Sequence, residues 1–142
     1  MIHALRSPDL QAWATGFPVT LLHALVTLLI LAVGATIYAL ITPHKEVALI
    51  REGNTAAAIS FGGVLVGLAL PLAASLAASV SLPEVALWGA ATLFVQLAVF
   101  RLADLALHDL PLRIAKGDTA AATLLVGARV AVSVVLAAAV AA

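Results

Sequence analysis

Thr55-Ala-Ala-Ala-Ile-Ser-Phe-Gly-Gly-Val-Leu-Val-Gly-Leu-Ala-Leu-Pro-Leu-Ala-Ala-Ser-Leu-Ala-Ala-Ser-Val80 is a run of residues without a single charge. About 20 apolar residues suffice to cross a bilayer core as helix. A buried helix of a soluble domain is shorter and amphipathic, and a barrel strand alternates polar with apolar positions. The stretch does neither, so it reads as a transmembrane helix. Working outward from it, residues 18–41 form a second such run, opened by Pro18 and closed by Thr42-Pro43. Residues 84–103 form a third, uncharged over 85–100, and residues 119–142 a fourth, interrupted by Arg129. The expectation is an all-α integral membrane protein of four transmembrane helices, forming a single membrane domain over 1–142.

Composition agrees. Of 142 residues, 64% are hydrophobic and 10% charged, and mean hydropathy is +1.19. Soluble domains average about 45–50% apolar and about 25% charged. A domain this small still exposes roughly a third of the surface its unfolded chain presents, so a soluble enzyme is excluded. Disorder is excluded by the same numbers. Seven basic and seven acidic residues give zero net charge, hence no electrostatic footprint for nucleic acid. With no cysteine, disulfides and thiolate sites are absent. The N-terminal residues lack the apolar run and small-residue cleavage site of a signal peptide.

The chain repeats itself at an offset of 64 residues, as from Gly53 to Gly117. His44-Lys-Glu-Val-Ala-Leu-Ile-Arg-Glu-Gly-Asn-Thr-Ala-Ala-Ala58 aligns with His108-Asp-Leu-Pro-Leu-Arg-Ile-Ala-Lys-Gly-Asp-Thr-Ala-Ala-Ala122. Ile50 falls on Ile114, Thr55 on Thr119 and Gly63 on Gly127. Two tandem hairpins, 18–80 and 84–142, would then run in the same direction across the bilayer, like the parallel repeats of some transporters. Lys45 and Arg51 follow the first span; Arg101, Arg113 and Lys116 close the third or follow it. The opposite side has only Arg6. The positive-inside bias therefore places both long loops, 43–54 and 105–118, in the cytoplasm and both termini in the periplasm. Trp13 and Trp88 would mark the outer interface and Tyr38 the inner one.

Each loop ends in Gly-Asx-Thr before a span. Asn54 and Asp118 are the expected N-caps, because a short side-chain oxygen accepts from the first free N–H groups of a helix. Thr55 and Thr119 are the competing caps. A pair of helix N-termini could also offer N–H groups to an anion, but the Asp118 carboxylate would already occupy one of them. Val47 to Ile50, and Leu110, Leu112 and Ile114 around a helix that Pro111 limits to starting there, read as short amphipathic segments on the inner membrane surface.

Pro43-His-Lys-Glu-Val-Ala-Leu-Ile-Arg-Glu-Gly-Asn-Thr-Ala-Ala-Ala-Ile-Ser-Phe-Gly-Gly63, followed by Ala69-Leu-Pro-Leu-Ala-Ala74, resembles the bacterial YjfL-like family, the domain-of-unknown-function 350 group. The resemblance covers essentially the whole chain. It implies a four-span inner-membrane protein of two tandem halves, with no catalytic residue to carry over. It also suggests association with a cytoplasmic membrane-maintenance protein of the phage-shock type. Arg129 departs from the pattern, lying in a span expected to be uncharged.

Gly63-Val-Leu-Val-Gly67 is a small-xxx-small pattern that lets helix backbones approach closely. Gly127 and Ala131 repeat it, which predicts contact between the second and fourth spans, or a homo-oligomer through the same face. Pro71 removes one hydrogen bond and crowds the Gly67 carbonyl, predicting a kink and a freed carbonyl. Arg129 lies about 15 Å of helix rise beyond Thr119. At a helix centre it would cost roughly 2.5–3.5 kcal/mol on insertion scales, so it needs a partner. Gln96 matches its depth, and Asp104 comes within reach if Arg129 stretches toward the cytoplasm. His23 reads as a hydrogen-bonded packing residue. His44 and His108 form a pair too small for a metal site. No cofactor motif is present.

The leading functional expectation is a non-enzymatic scaffold or assembly subunit embedded in the lipid bilayer. Lys45, Arg51, Arg113 and Lys116 would engage a cytoplasmic partner. The alternative is a small oligomeric channel or transporter, with a path lined by Arg129, Gln96, Ser60 and Gly67.

Overall fold

The computed structural model describes residues 7–43 and 45–142. Arg6 and His44, invoked above for orientation and for a histidine pair, lie outside the described residues. The fold is all-α. In order, the helices are α1 (Pro8–Ile41), α2 (Glu46–Arg51), α3 (Thr55–Ala78), α4 (Leu82–Ala106), α5 (Asp109–Ala115) and α6 (Thr119–Ala141). The four longest, α1, α3, α4 and α6, are long and apolar enough to cross a membrane.

Two starts differ from the sequence reading. The first helix does not open at Pro18 but at Pro8, with Ser7 as its cap and Pro18 inside it. Pro8 occupies the first turn, where its missing N–H costs nothing, whereas Pro18 costs a single bond in a 34-residue helix. That helix is about 51 Å long against a hydrocarbon core of about 30 Å. Similarly, α4 begins at Leu82 rather than Glu84, with Pro83 in its first turn. The Glu84 carboxylate turns back to accept the Val80 N–H at 2.9 Å.

The starts of α3 and α6 form as their sequence dictates. The Asn54 and Asp118 side chains accept the N–H of Ala57 at 3.0 Å and of Ala121 at 3.1 Å. Gly53 and Gly117 precede them at φ 87° and 90°, a left-handed conformation that only glycine adopts without strain. Both caps are thus Asx residues, not the competing Thr55 and Thr119.

The connectors α2 and α5 fold back onto these starts. Leu110 and Ile114 are buried with Ala56, Ala57, Ala121, Ala122 and Leu125, and Leu49 and Ile50 pack against that cluster. Much of the apolar face expected in lipid is therefore spent inside the protein, while Val47 and Leu112 stay exposed. Pro111 does not open α5; it sits in its first turn.

Helix α3 is the central element. It packs most extensively against α6 and touches every other helix. A second core, of Tyr38, Val64, Leu68, Leu93 and Phe100, joins α1, α3 and α4. The small-residue pattern acts on one side only. A Cβ on Gly63 would meet Val126 of α6, and one on Gly67 would meet Phe100 and Ser133. The expectation for Gly127 and Ala131 fails: both are exposed, and a Cβ on Gly127 would meet nothing within 4 Å. The inner face of α6 is instead Ala121, Ala122, Leu125, Arg129 and Ser133, so the second and fourth spans meet without matching their glycines.

Candidate functional site

Arg129 is 1% exposed and is the largest fully buried side chain. A helical side chain leans toward its own N-terminus. In α6 that direction leads to the end of the bundle carrying α2 and α5, where α1 and α4 finish and α3 begins. There the guanidinium finds its partners. One terminal nitrogen donates to Asp104 Oδ1 at 2.6 Å and to the Tyr38 hydroxyl at 2.5 Å. The other donates to the Ser60 carbonyl at 3.3 Å and hydroxyl at 3.2 Å. Tyr38 donates its own hydroxyl hydrogen bond to Asp104 Oδ2 at 3.1 Å. The guanidinium carbon also lies 5.2 Å from the Tyr38 ring centroid and 5.5 Å from that of Phe100, within cation–π range.

A single side chain thus ties α6 to α1, α3 and α4. Removing one member of such a buried pair is expensive, because it strands the other charge. The expected acceptor for Arg129 was Gln96 or Asp104, and Asp104 holds the position. Gln96 does different work: its amide donates to the Gly67 carbonyl at 3.2 Å and to the Ser133 hydroxyl. Gly67 is four residues before Pro71, so Gln96 satisfies the acceptor that the proline leaves open. Ser133 in turn donates to the Arg129 carbonyl at 2.6 Å.

Three contributors were not singled out for this role. Tyr38, expected as an interfacial ring, is 1% exposed. Ser60 figured only in the channel alternative. Glu46, beside the Val47 to Ile50 segment read as a surface helix, is 7% exposed, and its Oε1 accepts the Ser60 hydroxyl at 3.0 Å. Burial raises its carboxyl above the ordinary carboxylate range, although the nearby Arg129 charge and the Ser60 hydroxyl oppose the shift.

The remaining candidates lie apart from this cluster. Lys45, Arg51, Arg113 and Lys116 are exposed around α2 and α5. Arg113 pairs with Asp118 at 2.6 Å, while the Asn54 amide reaches the carbonyls of Ile114 and Ala115, both at 3.2 Å. His23 bonds the Val19 carbonyl of its own helix at 2.7 Å. His108 is exposed beside Asp109 at 3.1 Å. Among the described residues no group of three or more His, Asp or Glu side chains could hold a metal ion.

These features define a multi-span membrane protein held together by a buried ion pair. The chain belongs to the family described as Domain of Unknown Function (DUF350), which matches residues 12–140. Among similar proteins are the UPF0719 inner membrane protein YjfL of Escherichia coli (strain K12) and its counterpart in Escherichia coli O157:H7. Each is 41% identical over 85 residues, covering 60% of this chain and 64% of the relative. The alignment thus spans just under two thirds of those relatives' length. No solved structure matches.

Proposed function

We propose that the protein is a non-enzymatic scaffold or assembly subunit of the bacterial inner membrane. It engages a cytoplasmic partner through the two basic loops. In this reading 18–80 and 84–142 are tandem hairpins of one membrane domain, inserted in the same direction. The loops carrying α2 and α5 face the cytoplasm, and both ends of this chain lie on the periplasmic side. The paired Gly-Asx-Thr corners, with matching glycine conformations and caps, support the repeat. The printed name of the two relatives supports the membrane assignment.

The observation that carries the scaffold reading is the state of Arg129. A conducting path needs polar groups facing water. Here Arg129, Ser60 and Gln96 are bonded to protein, and each is at most 1% exposed. The polar interior is used to fix the spans, leaving the exposed Lys45, Arg51 and Lys116 of the loops as the groups available to recognise something else, while Arg113 is paired with Asp118.

The deciding measurement pairs two readouts on the purified protein. In liposomes it should pass no ions. In cells, a crosslinker at the loops should trap a discrete partner, and the charge reversals Arg51→Glu and Lys116→Glu should abolish that product. Selective ion conduction that changes with Arg129→Leu would replace this reading with the oligomeric channel.

A further inference from the structure

The buried cluster has unequal charges. Arg129 is bonded to Asp104, which is 6% exposed. Glu46 supplies a second buried carboxyl from α2, and it receives only the Ser60 hydroxyl. Its other oxygen, Oε2, has no hydrogen-bond partner among the described residues. An ionised carboxylate with one neutral donor and a bare oxygen is a costly thing to bury. The groups facing it are Tyr38 on α1, Ser60 on α3, Asp104 on α4 and Arg129 on α6. Arg129 has committed its terminal nitrogens to Asp104, Tyr38 and Ser60, while its buried Nε, like Glu46 Oε2, has no hydrogen-bond partner among the described residues. Lys45, Arg51 and Glu52, on and beside α2, are exposed.

We infer that Glu46 is a proton-binding site: its Oε2 carries a proton while α2 is docked, and loss of that proton undocks α2 from the Arg129 cluster. A neutral carboxylic acid accepts from Ser60 on one oxygen and leaves the charge of the core balanced. Ser60 connects the two, donating to Glu46 while accepting from Arg129. The element that would respond is short, and besides Glu46 it is held by Leu49 and Ile50 against the first core. Helix α2 has only six residues and no side-chain cap, and it starts from Lys45 at φ 44°, a conformation unfavourable for a residue with a Cβ. The sign follows from burial. The neutral form is the one the folded core favours, so docking is fully present below the ordinary glutamate pKa. It weakens as pH rises through the raised value.

This inference does not depend on the scaffold reading, because the proton needs no partner protein. The test uses the full chain in lipid nanodiscs, isotope-labelled at the glutamate side-chain carboxyl and followed by infrared spectroscopy across pH. The chain has three glutamates, Glu46, Glu52 and Glu84. One carboxylic-acid band should persist to higher pH than the rest of the glutamate signal, and Glu46→Gln should remove it. A spin label at Val47→Cys, in a chain with no native cysteine, should gain mobility over the same pH range. In the Glu46→Gln background it should stay immobile throughout. The proposal is overturned if all three glutamates of the unsubstituted protein ionise together. It is equally overturned if the label ignores the titration of Glu46. The infrared measurement decides the matter on unsubstituted protein even where Glu46→Gln does not fold.

Discussion

Helices α3 and α6 begin alike and end up doing different work. Each starts with Gly-Asx-Thr-Ala-Ala-Ala, with the same glycine conformation and the same cap, and each places a small pair at the same distance from its start. Yet Gly63 and Gly67 are buried while Gly127 and Ala131 are exposed. At the offset of the repeat, buried Arg129 corresponds to Leu65, which is 38% exposed. The cap is a local device, made by residues within one turn, and repeats whenever its sequence repeats. The packed face depends on neighbours. Helix α3 is surrounded, whereas α6 leans on α3 and directs one polar arm across it.

The sharpest way to break this comparison is at Arg129. Arg129→Leu strands Asp104 in the core and should destabilise the protein by about 3–5 kcal/mol, read as thermal unfolding in detergent micelles. The double variant Arg129→Leu, Asp104→Leu should recover most of that loss, since removing both partners is far cheaper than removing one. Leu65→Ala, at the corresponding position of α3, should cost much less. A neutral Arg129→Leu would mean that α6 is held by its apolar contacts alone.

A matched pair of alanines tests the packed faces next. In Gly63→Ala the new Cβ meets the stiff, branched Val126 side chain, with one methyl carbon at 2.9 Å. Overpacking of this kind should cost about 1–3 kcal/mol. Gly127→Ala meets no atom and removes a helix-interior glycine, so it should stabilise α6 by up to about 1 kcal/mol. Opposite signs from one chemical change would show that the repeat extends to backbone but not to packing. Equal losses would place α6 against a second copy of the chain.

Much of this was legible in the residues. The four spans follow from charge-free runs, and the Asx caps follow from local chemistry. That Arg129 needs an acceptor on α4 follows from its depth, which matches Gln96; that the acceptor is Asp104 depends on the arginine stretching toward its own helix start. Tyr38, Ser60 and Glu46 were not legible in that role. Their meeting depends on how three separate elements pack around α3, and a six-residue connector such as α2 carries too little periodicity to say which way Glu46 points. The start of α1 was misplaced because Pro18 resembles a helix opening, and only the Ser7-Pro8 cap upstream reveals the longer helix.

The smallest expected effect separates the two caps by pH. Asn54 is neutral, and its amide spans to the carbonyls of Ile114 and Ala115. Asn54→Ala should therefore cost about 1 kcal/mol for the cap alone, at any pH. The Asp118 side chain has no N–H to give and pairs locally with Arg113. The Ala121 N–H and the Arg113 side chain hold its carboxyl below the ordinary aspartate value. A depressed pKa contributes stability above the unfolded value and loses it as pH falls through the folded one. Acid should thus loosen the first turn of α6 and leave that of α3 intact. Amide hydrogen exchange, corrected for its intrinsic pH dependence, should show protection at Ala121 dropping on acidification while Ala57 holds. In Asp118→Asn the drop should vanish, because an asparagine caps without titrating. If Ala57 and Ala121 lose protection together, acid acts on the bundle as a whole, and the two corners are equivalent in charge as well as in shape.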